Sequence, residues 1–250
     1  MEVVILGSGT AVPVPDRFPA GYLVREGDLR VLVDLGPGVL RRFAQAGHTL
    51  DELDAVLLTH YHTDHCADLA ALLFGLRNPS FESVSGLQLK GGPGLEPLLE
   101  NLRAAWPWCR PSKPDSFTAT EIGPGKFELG GLTVEAFAIE HTEASLGYRF
   151  TDASGNTAAF TGDAVYCDGV LDLARDVDLL VCDAAFPAAE PTPGHMTSIE
   201  AGRAAQQAGV KVLCMTHFYP ACDGHDIAAE AATEFDGEIV LAEDLAVLRP

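Results

Sequence analysis

The heptad Thr59-His60-Tyr61-His62-Thr63-Asp64-His65 constrains this chain more than any other stretch. It packs three imidazoles and a carboxylate behind Ala55-Val56-Leu57-Leu58, a short apolar run that reads as a buried strand. Imidazole nitrogen and carboxylate oxygen are the donors that borderline divalent cations such as zinc prefer, and four of them this close cannot all turn inward from regular structure. A loop at a strand's end can fan them around a centre. The chain has only eight histidines in 250 residues, so three in one heptad favour metal ligation over a histidine-rich surface loop.

Other strands end on polar residues of the same kind. The first, residues 3–6, runs into Gly7-Ser8-Gly9-Thr10, which lacks the spacing of a dinucleotide fingerprint or a P-loop, and the prolines of residues 13–19 forbid an immediate helix. Strands at 21–25 and 30–34 flank the hairpin residues Glu26-Gly27-Asp28. The second ends at Asp34, before a helix at 39–45, and Asp34 reads equally as the N-cap of that helix or as a hydrogen-bond partner of a ligand histidine. Helical spacing recurs at 67–76, 95–106 and 198–207, and a strand is expected at 87–90 after a turn-rich segment. Residues 106–114, with two tryptophans and three prolines, read as an irregular lobe in which Trp106 and Trp108 belong to the core rather than to a cleft. Strands at 132–139, 145–150, 157–161, 178–182 and 210–215 follow, and closing strands fall within 239–248.

The polar residues at or beside these ends are Asp34, His60, His62, Asp64, His65, His141, Asp163, Asp183, His195 and His217, which include six of the eight histidines. Neighbouring strand termini lie along one sheet edge, so these side chains can meet there. The donors suffice for two metals sharing one bridging carboxylate. Alone, His141 or His217 would read as an ordinary hydrogen-bonded strand-end histidine.

Composition narrows the function. Apolar content of 47% supports a substantial core, and residues 1–250 read as a single domain. The longest apolar runs are strand-sized, so no membrane span is expected. The first residues lack a secretory leader, which points to a cytoplasmic protein. Six scattered cysteines without a C-x-x-C pair read as reduced thiols. Sixteen basic against 36 acidic residues give a net charge of −20, and such a field disfavours extended nucleic acid.

Taken together these residues carry a resemblance. The run T-H-Y-H-T-D-H, preceded by V-D-L-G and followed by I-E-H, T-G-D and M-T-H, resembles the metallo-β-lactamase superfamily over nearly the whole chain. The opening L-G-S-G-T, the run H-T-E-A-S-L-G-Y at 141–148 and G-H-M-T at 194–197 are similar to its ribonuclease Z-like phosphodiesterase branch. The resemblance implies an α/β fold, a four-layer αβ/βα sandwich of two mixed sheets with helices on the outer faces and a metal site on one edge. It implies two divalent metal ions, zinc first, with manganese or iron as alternatives. His60, His62 and His141 would hold one, Asp64, His65 and His217 the other, and Asp163 would bridge them, with Asp34 orienting a ligand from behind. Asp64, as ligand and neighbour, would also accept a proton from water.

His195 would be the general acid. Members of the branch pair this histidine with a carboxylate from an H-E-A-T-F-like run. Here that run is Cys182-Asp183-Ala184-Ala185-Phe186, so Asp183 replaces glutamate with one methylene less and Cys182 replaces histidine. Tyr148 and Ser145 are expected to contact a substrate phosphate.

The implied activity is that of a dinuclear metal-dependent hydrolase, a phosphodiesterase acting on a small or cyclic phosphodiester through a metal-bridging hydroxide. Members of the branch that process tRNA carry a long basic, glycine-rich arm between the third-motif histidine and the bridging aspartate. His141 and Asp163 are 22 residues apart, which leaves no room for it and argues against tRNA 3′-end maturation by a ribonuclease Z. Lactone, thioester or lactam hydrolysis on the same scaffold is an alternative, as is an iron-binding redox or sensing protein. Branch members often dimerise; a homodimer is admitted, with no interface legible.

Overall fold

The computed structural model describes residues 1–78, 86–110 and 116–250. In chain order its strands and helices are β1 (Glu2–Gly7), β2 (Gly21–Glu26), β3 (Leu29–Val33), α1 (Val39–Gln45), β4 (Ala55–Leu57), α2 (Thr63–Cys66), α3 (Asp68–Gly75), β5 (Leu87–Gly91), α4 (Leu95–Ala105), β6 (Phe117–Glu121), β7 (Gly125–Leu129) and β8 (Leu132–Ala138). The chain continues through β9 (Leu146–Thr151), β10 (Thr157–Phe160), α5 (Asp168–Ala174), β11 (Leu179–Asp183), α6 (Ser198–Ala208), β12 (Val212–Thr216), α7 (Ile227–Ala231), β13 (Glu238–Leu241) and β14 (Val247–Leu248).

The strands form two sheets of seven, in the orders β14-β1-β2-β3-β4-β5-β6 and β13-β12-β11-β10-β9-β8-β7. Period-two alternation separates their faces. On β1, Val3 and Ile5 join the core that also takes in Phe150, Phe160 and Val181 of the opposite sheet. Val4 and Leu6 turn to the other face and pack with Val39 and Phe43 of α1, Leu69 and Leu72 of α3, and Leu95 of α4. Helices α5, α6 and α7 cover the second sheet through Leu173, Ala205 and Ala231 among others. The result is the four-layer sandwich expected from the sequence. Among the described residues no helix is long and apolar enough to cross a membrane.

The topology determines where the polar strand ends go. β3, β4, β5 and β6 are mutually parallel, as are β10, β11, β12 and β13. Ligands of open α/β sheets gather outside the carboxyl ends of such strands. β8 and β10 both pair antiparallel with β9, so they run the same way and His141, after β8, reaches the edge that Asp163 reaches after β10.

Several expectations need correction. Trp106 and Trp108 are 44% and 46% exposed, so they are not core; Trp108 meets the edge of Phe74, itself exposed. The expected lobe continues into residues 111–114, and the turn-rich segment after α3 into 79–85, both outside the described residues. The N-cap of α1 is Gly38, not Asp34, and Asp68 supplies the acceptor for its free amides. The closing strands part company: β13 pairs with β12 and β14 with β1. All six cysteines are free and buried.

Candidate metal centre

The heptad is half loop and half helix. His60 and His62 leave β4 in irregular backbone, whereas Asp64 and His65 sit on the single turn α2. Four non-glycine residues among those described have positive φ, and two of them, Asp34 (62°) and His217 (64°), are in this site. Left-handed backbone costs such residues about 1–2 kcal/mol. It persists here because it turns each chain sharply off its strand and aims the side chain across the sheet edge. The two sheets approach closely at this point: a Cβ on Gly162 would lie 2.7 Å from the Thr59 side chain.

Hydrogen bonds determine which nitrogen of each ring faces inward. His65 Nδ1 donates to Asp34 Oδ2 at 2.8 Å, and His141 Nδ1 donates to the Gly194 carbonyl at 2.8 Å. The Thr59 hydroxyl donates to Asp34, 2.8 Å from Oδ2, which leaves its oxygen to accept His60 Nδ1 at 3.1 Å. In all three rings Nε2 is therefore directed at the centre. Such outer contacts are what orient metal-ligating histidines.

The inward donors form two nests. In one, His62 Nδ1 lies 3.2 Å from His141 Nε2, and Asp163 Oδ2 lies 3.6 Å from both His60 Nε2 and His141 Nε2. In the other, His65 Nε2 and His217 Nε2 are 3.3 Å apart, Asp163 Oδ1 is 3.0 and 3.3 Å from them, and Asp64 Oδ2 is 3.4 Å from His217 Nε2. Ligands bonded at 2.0–2.1 Å to one tetrahedral ion stand about 3.3–3.4 Å apart. His60 Nε2 and Asp163 Oδ1 are buried with no hydrogen-bond partner, a costly state for polar atoms unless a cation takes them. These His and Asp clusters are able to bind metal ions, and one oxygen of Asp163 belongs to each nest.

The electrostatics agree. Burial, reinforced by the charge of His65, lowers the His60 pKa to about 2, which keeps that ring neutral. Burial also lowers His141. Burial alone would lower His65, yet Asp163 and Asp34 raise it well above the usual value, so the cluster draws positive charge to that nitrogen. Asp163 is held well below the carboxylate range by His217 and His65 although its burial opposes this.

His195 stands beside the second nest, its ring stacked on His217 at 5.3 Å. Its Nδ1 donates to Asp183 Oδ2 at 3.0 Å, and the same oxygen accepts Ala164 N. The loop that carries His195 leaves β11 and returns at α6. It is closed by Ser198 N donating to Phe186 O at 3.0 Å, and by Glu230 of α7, whose Oε2 accepts Ala188 N at 2.9 Å and the Ser198 hydroxyl. Helix α6 then starts on a capping box of Thr197 and Glu200.

The two residues expected to contact phosphate are buried and their hydroxyls are engaged by the protein itself. Tyr148 is fully buried and its hydroxyl donates to Leu58 O at 2.8 Å. It braces the strand in front of the heptad. Ser145 is buried too, and its hydroxyl holds the turn at Thr142 N and Thr142 Oγ1. Residues not anticipated from sequence include Thr59 and Glu230, together with Tyr219, whose ring lies 5.7 Å from that of His195 and 5.8 Å from that of His217. Tyr219 follows His217 by two positions, and that proximity was its only signal. A cavity of about 340 Å³ opens beside Asp64, lined by Thr10, Pro13, Arg17, Phe18 and Pro37 among others.

Comparison with known proteins places this architecture. Residues 29–218 match the Beta-lactamase superfamily domain. A ribonuclease Z of Nocardia farcinica is 30% identical over 299 residues, covering 98% of this chain and 96% of its own. The probable metallo-hydrolase YhfI of Bacillus subtilis is 32% identical over 253 residues, 97% of each chain. The crystal structure of the YhfI metallo-β-lactamase fold protein superposes with a TM-score of 0.87 and 28% identity, over 99% of this chain and 98% of that one. The chain belongs to the beta-lactamase superfamily of metallo-hydrolases.

Proposed function

We propose that the protein is a dinuclear metal-dependent phosphodiesterase acting on a small or cyclic phosphodiester. His60, His62 and His141 would hold one ion, Asp64, His65 and His217 the other, with Asp163 shared and zinc the metal best suited to these donors. Two such ions would supply Lewis acidity at the phosphoryl oxygens and acidify water between them.

The observation that carries the reading is the hydrogen bond from His195 Nδ1 to Asp183 Oδ2, at 3.0 Å, beside the second nest. An alkoxide leaves a phosphodiester only with a proton, and His195 Nε2 is the nitrogen free to deliver it. Asp183 fixes the ring and stabilises its charged form. Burial would raise the Asp64 pKa, but its hydrogen bond with His217 lowers it to about 2, so the group stays an ionised carboxylate able to accept a hydrogen bond from water.

Substrate size follows from what flanks the site. β9 and β10 pair directly as a hairpin between His141 and Asp163, which leaves no tRNA-clamping arm, and the net charge of −20 opposes a polyanion. The cavity beside Asp64 suits a small molecule. The relative named ribonuclease Z keeps tRNA processing as the competing reading. Metal-replete protein is expected to hydrolyse bis(p-nitrophenyl) phosphate and cyclic nucleotides; efficient cleavage of pre-tRNA at physiological salt with neither small diester turned over would overturn the proposal.

A further inference from the structure

Two aromatic rings lie beside His195. Phe186 and Tyr219 stack at 4.8 Å with their planes 14° apart. His195 is 5.9 Å from the first and 5.7 Å from the second, so it flanks the stack and does not cap it. The backbone holds the pair in place. The left-handed turn at His217 reverses the chain, Phe218 is buried with its amide on Ser8 O at 3.0 Å, and Tyr219 N donates to Ala185 O at 3.2 Å, next to Phe186. Tyr219 remains partly exposed, and among the described residues its hydroxyl has no hydrogen bond. Its ring is thus presented at the catalytic edge by the fold, without a hydroxyl contact or a core position to account for it.

We propose that Tyr219, backed by Phe186, receives a planar aromatic group of the substrate, so that the preferred substrates are phosphodiesters bearing a nucleobase or aryl ring, and glycerol or simple alkyl diesters are disfavoured. This rests on the phosphodiester reading above. Stacking supplies affinity that an acidic chain cannot obtain from a basic groove, and it tolerates any planar ring.

Binding tests this apart from turnover. Calorimetric titration of metal-replete protein with adenosine 5′-monophosphate and ribose 5-phosphate is expected to show about tenfold or greater preference for the nucleotide. Y219F should retain that preference, whereas Y219L, which keeps apolar volume without a π-face, should lose it. Y219A serves as a second non-aromatic variant should Y219L fold poorly. Equal affinity of the wild type for both ligands, or a preference surviving in Y219L and Y219A, overturns the inference. A preference that vanishes in Y219L upholds ring recognition even if no diester is cleaved, a result that would remove only the phosphodiesterase reading. Cleavage of small diesters without nucleotide preference removes only the role of Tyr219.

Discussion

His195 Nδ1 donates to Asp183 Oδ2 across 3.0 Å, and the Asp183 carboxylate is buried with that oxygen also bound to Ala164 N. Burial alone would lower the His195 pKa, but the hydrogen bond and charge of Asp183 raise it overall. A general acid works only while protonated, so activity is lost as pH rises through that pKa, and the raised value extends the active range upward. D183N keeps an acceptor oxygen but removes the charge. Its basic limb should therefore move to lower pH, and kcat should fall. H195A should lose about two to four powers of ten in kcat on diesters with alkoxide leaving groups. Rate profiles between pH 5 and 10 check both; an unmoved basic limb in D183N would separate Asp183 from the acid.

Asp34 touches no inward-facing nitrogen, yet it accepts Thr59 N at 2.7 Å, the Thr59 hydroxyl, and His65 Nδ1. It thereby orients His65 directly and His60 through Thr59. D34A should weaken metal retention about 10- to 100-fold, the cost typical of removing a histidine's outer carboxylate. Metal content by mass spectrometry, after dialysis against a graded series of chelator concentrations, reads this without reference to any substrate. Retention equal to wild type would show that the ring orientations are set by packing alone.

How far the site was legible depended on whether its residues act through position or through distant partners. The heptad announced itself because four donors in one short run have few other uses, and His141, Asp163 and His217 could be added because each follows a strand whose end the topology brings to the same edge. Tyr148 was misplaced although the pattern was available: Leu146, Tyr148 and Phe150 alternate on one buried face of β9. Trp106 and Trp108 depart from the expectation because they lie at and beyond the end of α4, and hydrophobicity alone does not say whether such a segment has a neighbouring layer. Glu230 lies 42 residues from the Ala188 amide that it accepts, and β13 and β14 join different sheets. Nothing local in the sequence encodes either fact.

Glu230 ties both ends of the His195 loop to α7, through Ala188 N and the Ser198 hydroxyl. E230A leaves those donors without their acceptor and lets the loop sample other positions, and misplacement of a catalytic group by about 1 Å can cost two powers of ten in rate. The expected outcome is a fall in kcat of roughly tenfold or more that exceeds any loss of metal, since no proposed ligand lies on this loop, which meets them through the Gly194 carbonyl on His141 Nδ1 and the His195 ring on His217. E230Q, which keeps an acceptor oxygen, should recover part of the loss. A loss of metal as large as the fall in kcat would instead place the effect of E230A on the ligands and not on His195.

Asp178 fastens the starts of three strands of the second sheet. Its Oδ2 accepts Thr157 N at 2.7 Å and Thr157 Oγ1 at 2.9 Å at the first residue of β10, while Oδ1 takes Lys211 Nζ at 2.5 Å before β12. Desolvation would raise its pKa, but the hydrogen bonds from Lys211 and Thr157 lower it overall from 3.8. A carboxyl whose folded pKa is depressed contributes stability above its unfolded pKa and loses it as pH falls through the folded value. D178N should thus cost about 1 kcal/mol at neutral pH, held to the low end by the exposure of Lys211, which for a chain this size is a fall in Tm of about 2–4 °C. The gap between variant and wild type should close only as pH falls below the usual carboxylate range, through the lowered folded pKa, as the wild-type carboxyl takes up its proton. Thermal melts of both proteins from pH 7 down to the acid limit of folding measure this directly, and a Tm difference independent of pH would assign the loss to packing instead of to the charge on Asp178.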